Sequence, residues 1–152
     1  MAGRTNVGVN TPQMEAFGEL MRAQDALSRL LDRELVDERG LSLSEYVVLL
    51  TLRYAPDGRL PVGALCPAVH LTRSGVTRLI DRMEAAGTVE RSAAPGDRRT
   101  VRAAITEHGR EELRKAWPVH RRGIEQHFGA NLTLAEAEML RDLLRRVVPG
   151  PG

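Results

Sequence analysis

The sequence predicts a mainly α domain carrying one small β-hairpin, and three observations support this reading. Apolar residues recur at i, i+3, i+4 and i+7 over most of the chain, the spacing of one face of an α-helix. Only between Thr88 and Ile105 does the pattern change to alternation, as short strands require. Two capping boxes, Ser42-Leu43-Ser44-Glu45 and Thr133-Leu134-Ala135-Glu136, mark helix starts by their chemistry, because hydroxyl and carboxylate each satisfy an amide that the helix leaves unpaired. With 152 residues, 42% of them hydrophobic, the chain has the size of one domain, spanning 1–152.

Residues 1–10 lack periodicity and read as a mobile terminus. Thr11-Pro12 then supplies an N-cap and an N1 proline. Phe17, Leu20, Met21, Leu27, Leu31 and Leu35 keep one apolar seam over about six turns, more than a small core needs, so part of this helix is expected to pack on another chain. The helix opened by the Ser42 box, through Tyr54, is apolar on nearly all sides and therefore buried. Ala55-Pro56-Asp57-Gly58 reads as a turn. Pro61 then starts a short helix, Val62 to Val69. A tight connection at His70 leads to a second helix, Leu71 to Ala86, and two short helices so joined are a helix-turn-helix.

In that second helix Val76, Leu79, Ile80 and Met83 form the buried stripe. At about 100° per residue, Ser74, Thr77, Arg78 and Asp81 then face away from it, with Arg73 and Arg82 on the flanks. Thr72 is the expected N-cap, leaving the positive dipole end beside Arg73, and Gly87 the C′ residue. The hairpin runs through Thr88-Val89-Glu90-Arg91 and Val101, Ala103 and Ile105; its connection, Ser92 to Arg99, reads as long, with Pro95-Gly96 and then Arg98 and Arg99 near the tip. Such a finger suits a minor groove. Beyond it, Thr106 caps a long helix with Leu113, Trp117, Ile124 and Phe128 on one face, which Pro118 is expected to kink. A last helix carries Ala137, Leu140, Leu143, Leu144 and Val147, and Pro-Gly-Pro-Gly at 149–152 reads as a short tail.

The net charge is only +2, so any nucleic-acid argument rests on local clustering. Residues 71–102 supply it, with seven arginines against four acids; taken alone, a solvated charged surface explains such a cluster equally well. The single cysteine, Cys66, excludes an internal disulfide, and no apolar run approaches the roughly 20 residues of a membrane span, which makes a cytoplasmic protein the expectation. No nucleophile-base ordering, phosphate loop or paired catalytic carboxylates is apparent, and we expect neither an enzyme nor a cofactor.

The segment Val76 to Arg91, VTRLIDRMEAAGTVER, and the wing residues Asp97, Arg99, Ala103, Ile105, Thr106 and Gly109 resemble the MarR family of bacterial transcription regulators. The family's wing pattern is Asp-x-Arg, then x-x-x-Val-x-Leu-Thr-x-x-Gly, from which Ala103 and Ile105 depart. The resemblance covers roughly residues 13–148. It implies a winged helix-turn-helix lobe, 42–106, between N- and C-terminal dimerisation helices, 11–40 and 107–148. It further implies a homodimeric repressor on a pseudo-palindromic double-stranded DNA operator, released by a small aromatic or anionic effector. Carried onto this sequence, Arg99 is the minor-groove arginine, oriented by a carboxylate–guanidinium pair with Asp97 and accompanied by Arg98. Ser74, Thr77 and Arg78 face base edges, while Arg73, Arg82 and Arg91 contact phosphates. Asp81, repelled by phosphate, is expected to pair with Arg78 or another arginine.

Trp117, His120, Tyr46 and Arg22 are candidates to line an effector pocket; equally, Trp117 fills a dimer core with His120 on its rim. Cys66 reads as a buried structural thiol. His70, His108, His120 and His127 lack metal-ligand spacing, so no metal site is expected. Two other functions stay open: a DNA-binding regulator with no ligand response, and a winged helix used only to bind proteins.

Overall fold

The computed structural model describes residues 11–148, which leaves the first ten residues and the final Pro-Gly-Pro-Gly, read above as mobile terminus and tail, outside the described residues. Helix α1 is Pro12–Arg39, α2 Leu43–Tyr54, α3 Cys66–Val69, α4 Arg73–Ala85, α5 Glu107–His127 and α6 Leu134–Val147. Three strands, β1 Arg59–Pro61, β2 Val89–Ala94 and β3 Asp97–Ile105, form one antiparallel sheet in the order β1-β3-β2.

Local chemistry sets the helix starts. Thr11, Ser42, Thr72, Thr106 and Thr133 are all N-caps whose hydroxyls accept a backbone N–H, and Ser42 and Thr133 complete their capping boxes with Glu45 and Glu136. Replacing such a cap typically costs about 1 kcal/mol. Gly87, at φ 74°, ends α4 in the left-handed conformation that glycine adopts without strain.

The core lies where α2 and α4 meet the base of the sheet and α5. Tyr46, Leu49, Leu52, Val76, Ile80 and Met83 are almost wholly buried, joined by Leu35 from α1 and by Ala116 and Val119 from α5. The four apolar α4 positions expected inward are all buried. In α2, by contrast, Tyr54 is 80% exposed, because the last turn runs past the core.

Three expectations are corrected. The segment after Pro61 is a 3₁₀ turn, Val62–Leu65, followed by the single α turn of α3, not one continuous helix. Pro61, read as a helix start, instead ends a strand, Arg59–Pro61, that pairs with β3 at Leu60↔Ala103. The hairpin connection is short: β2 and β3 continue to Ala94 and Asp97, so that only Pro95-Gly96 turn between them, with an irregularity at Ala93/Ala94 that leaves residues 98–100 of β3 without partners in the ladder. Helix α5 runs unbroken through the exposed Pro118, where the proline lacks an N–H to donate.

Helices α1 and α5 pack together through Gly123, where an added Cβ would collide with Leu31 and with the Glu34 carboxylate. His127 and Glu34 bond across the same contact at 2.6 Å, with the Arg122–Glu38 pair alongside. Apolar side chains remain uncovered on three helices. Met14, Phe17 and Met21 of α1, Trp117 and Ile124 of α5, and Leu134, Met139, Leu143 and Val147 of α6 are exposed. No residue of α6 is buried. No described helix is long and apolar enough to cross a membrane.

Candidate nucleic-acid interface

Helix α4 presents the polar face that its apolar period dictates. Arg73, Ser74, Thr77, Arg78 and Arg82 are all exposed on the side opposite the core. Thr72 accepts the Gly75 amide at 3.2 Å, and its hydroxyl lies 3.2 Å from that of Ser74, so the first turn is held together at its polar end. Thr77 donates to the Arg73 carbonyl at 3.0 Å, a back-bond its hydroxyl must give up to reach another acceptor.

The hairpin projects beside this helix. Its base is fixed by Thr88, which donates to the Met83 carbonyl at 3.1 Å, and by Thr106, which donates to Gly87 at 2.6 Å. The first turn of α5 approaches Thr88 so closely that a Cβ at Gly109 would meet its carbonyl oxygen, which gives a steric reason for glycine at this position. Between the sheet and α4 lies a cleft of about 700 Å³ whose lining includes Arg73, Thr77, Asp81, Arg91, Arg99 and Thr100. The wing arginine and the first arginine of α4 therefore share one concavity. A duplex backbone, with one charge per ~1.7 Å of axis, suits such a positive edge.

The wing carboxylate does not do what was expected of it. Asp97 accepts the backbone N–H of Arg99 at 2.9 Å and the Thr100 hydroxyl at 2.6 Å, and among the described residues it makes no ion pair with the Arg99 guanidinium. The Thr100 hydroxyl first, then the Arg99 amide, hold its carboxyl below the usual range. The reason is geometric: at the start of β3 a carboxylate reaches the amide two residues on, as in an Asx turn. Arg99 itself is exposed, and the Arg98 side chain lies outside the described residues.

Arg91, expected at phosphate, is also placed otherwise. Its guanidinium pairs with Asp81 and Glu84 and donates to the Thr77 carbonyl at 3.2 Å, leaving the side chain 24% exposed. Asp81 thus pairs with an arginine, as expected, and that arginine is Arg91.

A second cavity, of about 580 Å³, opens between α2 and α5. Two of the candidate effector-pocket residues, Tyr46 and Trp117, are in its lining; Arg53, Tyr54, Arg110 and Arg114 join them. These four were missed, although Arg110, Leu113, Arg114 and Trp117 stand at i, i+3, i+4 and i+7 and were bound to share a face. His120 lies outside the lining but against Tyr46, with ring centroids 4.4 Å apart. Burial lowers the His120 pKa and raises that of Tyr46. The Tyr46 hydroxyl and His120 Nδ1 are both buried without a protein partner among the described residues. Arg22 is corrected: it pairs with Glu19 on the exposed part of α1 and is absent from the lining. The core takes hold of α1 only near Leu35, roughly 20 Å further along the helix at 1.5 Å per residue. Cys66, expected buried, is only partly so, because it sits in the single-turn α3 at the core's margin.

The MarR family model matches residues 39–100. The regulator PecS of Dickeya dadantii is 31% identical over 136 residues, covering 88% of this chain and 80% of PecS. The transcriptional repressor MprA of Escherichia coli K12 is 27% identical over 123 residues, covering 80% of this chain and 69% of MprA. Among solved structures, the MarR-family regulator Sco3205 of Streptomyces coelicolor, crystallised in complex with DNA, superposes with a TM-score of 0.81 at 28% identity, covering 95% of this chain and 91% of Sco3205.

Proposed function

The chain belongs to the MarR family of DNA-binding transcription regulators, and on that premise we propose that it is a homodimeric repressor of a pseudo-palindromic operator. Helix α4 enters a major groove, where Ser74, Thr77 and Arg78 meet base edges and Arg73 and Arg82 meet phosphates. The wing follows the adjacent minor groove through Arg99, with Arg98 beside it. The observation that carries this reading is the shared cleft, which sets Arg99 and Arg73 on one basic edge beside the polar face of α4. The uncovered apolar residues of α1, α5 and α6 support a two-fold dimer built from residues 11–40 and 107–148 around the lobe 42–106.

An electrophoretic shift with the duplex upstream of its own gene and with random duplex, each at two salt concentrations, tests the reading. Tighter binding of the promoter duplex, weakening with salt on both, is expected. A winged helix that serves only as a protein-binding module leaves both duplexes unshifted.

The cavity between α2 and α5 supports a released state. A small aromatic acid fits it, with Tyr46 and Trp117 offering flat apolar surface and Arg53, Arg110 and Arg114 offering charge. Benzoate-type acids should quench Trp117 fluorescence and weaken promoter binding together, because linkage is reciprocal. Quenching with unchanged DNA affinity leaves a DNA-binding regulator that no such acid controls.

A further inference from the structure

Resting on the DNA-binding reading, we propose that Arg91 is a positioning residue that locks the wing to α4 and so sets the distance and angle between the two DNA-reading elements. Its acceptors lie on one stripe of the helix: the Thr77 carbonyl, the Asp81 carboxylate and the Glu84 carboxylate stand at i, i+4 and i+7. Arg91 reaches all three, donating to Glu84 at 3.1 Å and to Thr77 at 3.2 Å, while its own backbone N–H donates to the other Glu84 oxygen at 3.3 Å. Main chain and side chain of one β2 residue are thus both fastened to α4.

This fastening adds a link to α4 beside the pairing of β1 with β3 and the burial of Val89, Ala103 and Ile105. Helix α4 and β2 are joined only by Ala86-Gly87-Thr88, with glycine in the left-handed conformation at the centre. Thr88 and Thr106 hold the base of the hairpin, but nothing in that linker fixes the direction of the strands beyond it. Arg91 acts farther along β2, opposite Ala103 in the ladder, and so holds the regular part of β3, from which the strand continues, past the irregularity at Ala93/Ala94, to Arg99. A planar guanidinium serves three acceptors in fixed directions, which a lysine ammonium cannot.

The charge arithmetic argues against a phosphate contact. Arg91 stands between two carboxylates, so the cluster carries a net charge of about −1 and repels a phosphate unless the clamp opens. Asp81 and Glu84 are in turn partly neutralised only while Arg91 stays in place.

Arg91→Ala, Arg91→Lys and the double variant Asp81→Asn/Glu84→Gln test the proposal against a selected operator and random duplex over a salt series. Amide exchange of the free proteins is followed in parallel. Arg91→Ala should lose at least about tenfold in operator affinity, the scale of one lost specific contact, with random-duplex affinity and salt slope little changed. Arg91→Lys should recover only part of that loss. The double variant should lose operator affinity as well, although it removes two negative charges beside the DNA face. In the free proteins, β2 amides should exchange faster in Arg91→Ala and in the double variant. The proposal is overturned if Arg91→Ala flattens the salt slope by about 0.9 and weakens both duplexes equally, as loss of a phosphate contact does. Tighter binding by the double variant, or unchanged β2 exchange, overturns it too. Should the wild-type protein bind no duplex, the DNA-binding reading fails, and the exchange measurement still decides the clamp.

Discussion

The Asp97 carboxylate holds the backbone of Arg99, not its guanidinium, accepting the Arg99 N–H at 2.9 Å while its second oxygen takes the Thr100 hydroxyl at 2.6 Å. The side chain of Arg99 is left free for a groove, on a main chain that Asp97 makes rigid. Arg99→Ala should cost about 1–3 kcal/mol on the operator and lower the salt slope by about 0.9. Asp97→Ala should produce a smaller loss with the slope unchanged, since the guanidinium is still present but its base is loose. Fluorescence anisotropy over a salt series measures both; equal slopes for wild type and Arg99→Ala would remove Arg99 from the interface.

Arg78 stands on the exposed face of α4, within reach of guanine O6 and N7 if the helix lies in a major groove. Arg78→Ala should cost about 1–3 kcal/mol and relax base preference at one position per half-site, whereas Arg99→Ala should leave preferred half-site bases unchanged. Selection from randomised operators separates the two. A base-specific change for Arg99→Ala and none for Arg78→Ala reverses the roles.

Phe17 is 64% exposed, Trp117 51%, and Leu134 87%, on three different helices. Their burial against a second copy would stabilise a dimer by about 25 cal/mol per Å² of apolar surface removed from water. Sedimentation at micromolar concentration should therefore give a dimer, and Leu143→Glu should shift it toward monomer without loss of α-helical signal. A wild-type monomer with intact helicity refutes the two-fold arrangement.

Burial lowers the pKa of His120 below its ordinary 6.5, so in the folded protein the neutral ring against Tyr46 is favoured. As pH falls through 6.5 the unfolded chain takes up this proton first, and stability declines until the folded pKa is passed; above that window the group has no effect. His120→Gln should reduce the fall in Tm between neutral and mildly acidic pH. Parallel curves for wild type and variant would show that His120 does not contribute to it.

The caps at Thr11, Ser42, Thr72, Thr106 and Thr133 were legible because capping depends on residues within one helical turn. The same holds for the α4 stripe and the exposed arginines opposite it. Strand β1 was not legible: three residues show no period, and Leu60 becomes a strand only by pairing with the distant Ala103. Arg91 and Arg99 look alike in sequence, yet one meets two carboxylates across the helix–wing contact and the other meets solvent. Arg22 was misplaced because helix periodicity gives a residue's face but not which part of a long helix reaches the core.

Half-site spacing tests the two-fold account most directly. Two α4 helices related by a dyad meet major grooves about one helical turn apart, so a promoter fragment mapped by footprinting should carry half-sites roughly 10 bp centre to centre. Inserting about 5 bp between them turns one half-site to the opposite side of the duplex and should reduce binding to that of random DNA, while an insert of about 10 bp, which restores the facing, should be the less damaging of the two. Affinity unchanged by the half-turn insert would contradict an operator gripped by two symmetry-related recognition helices.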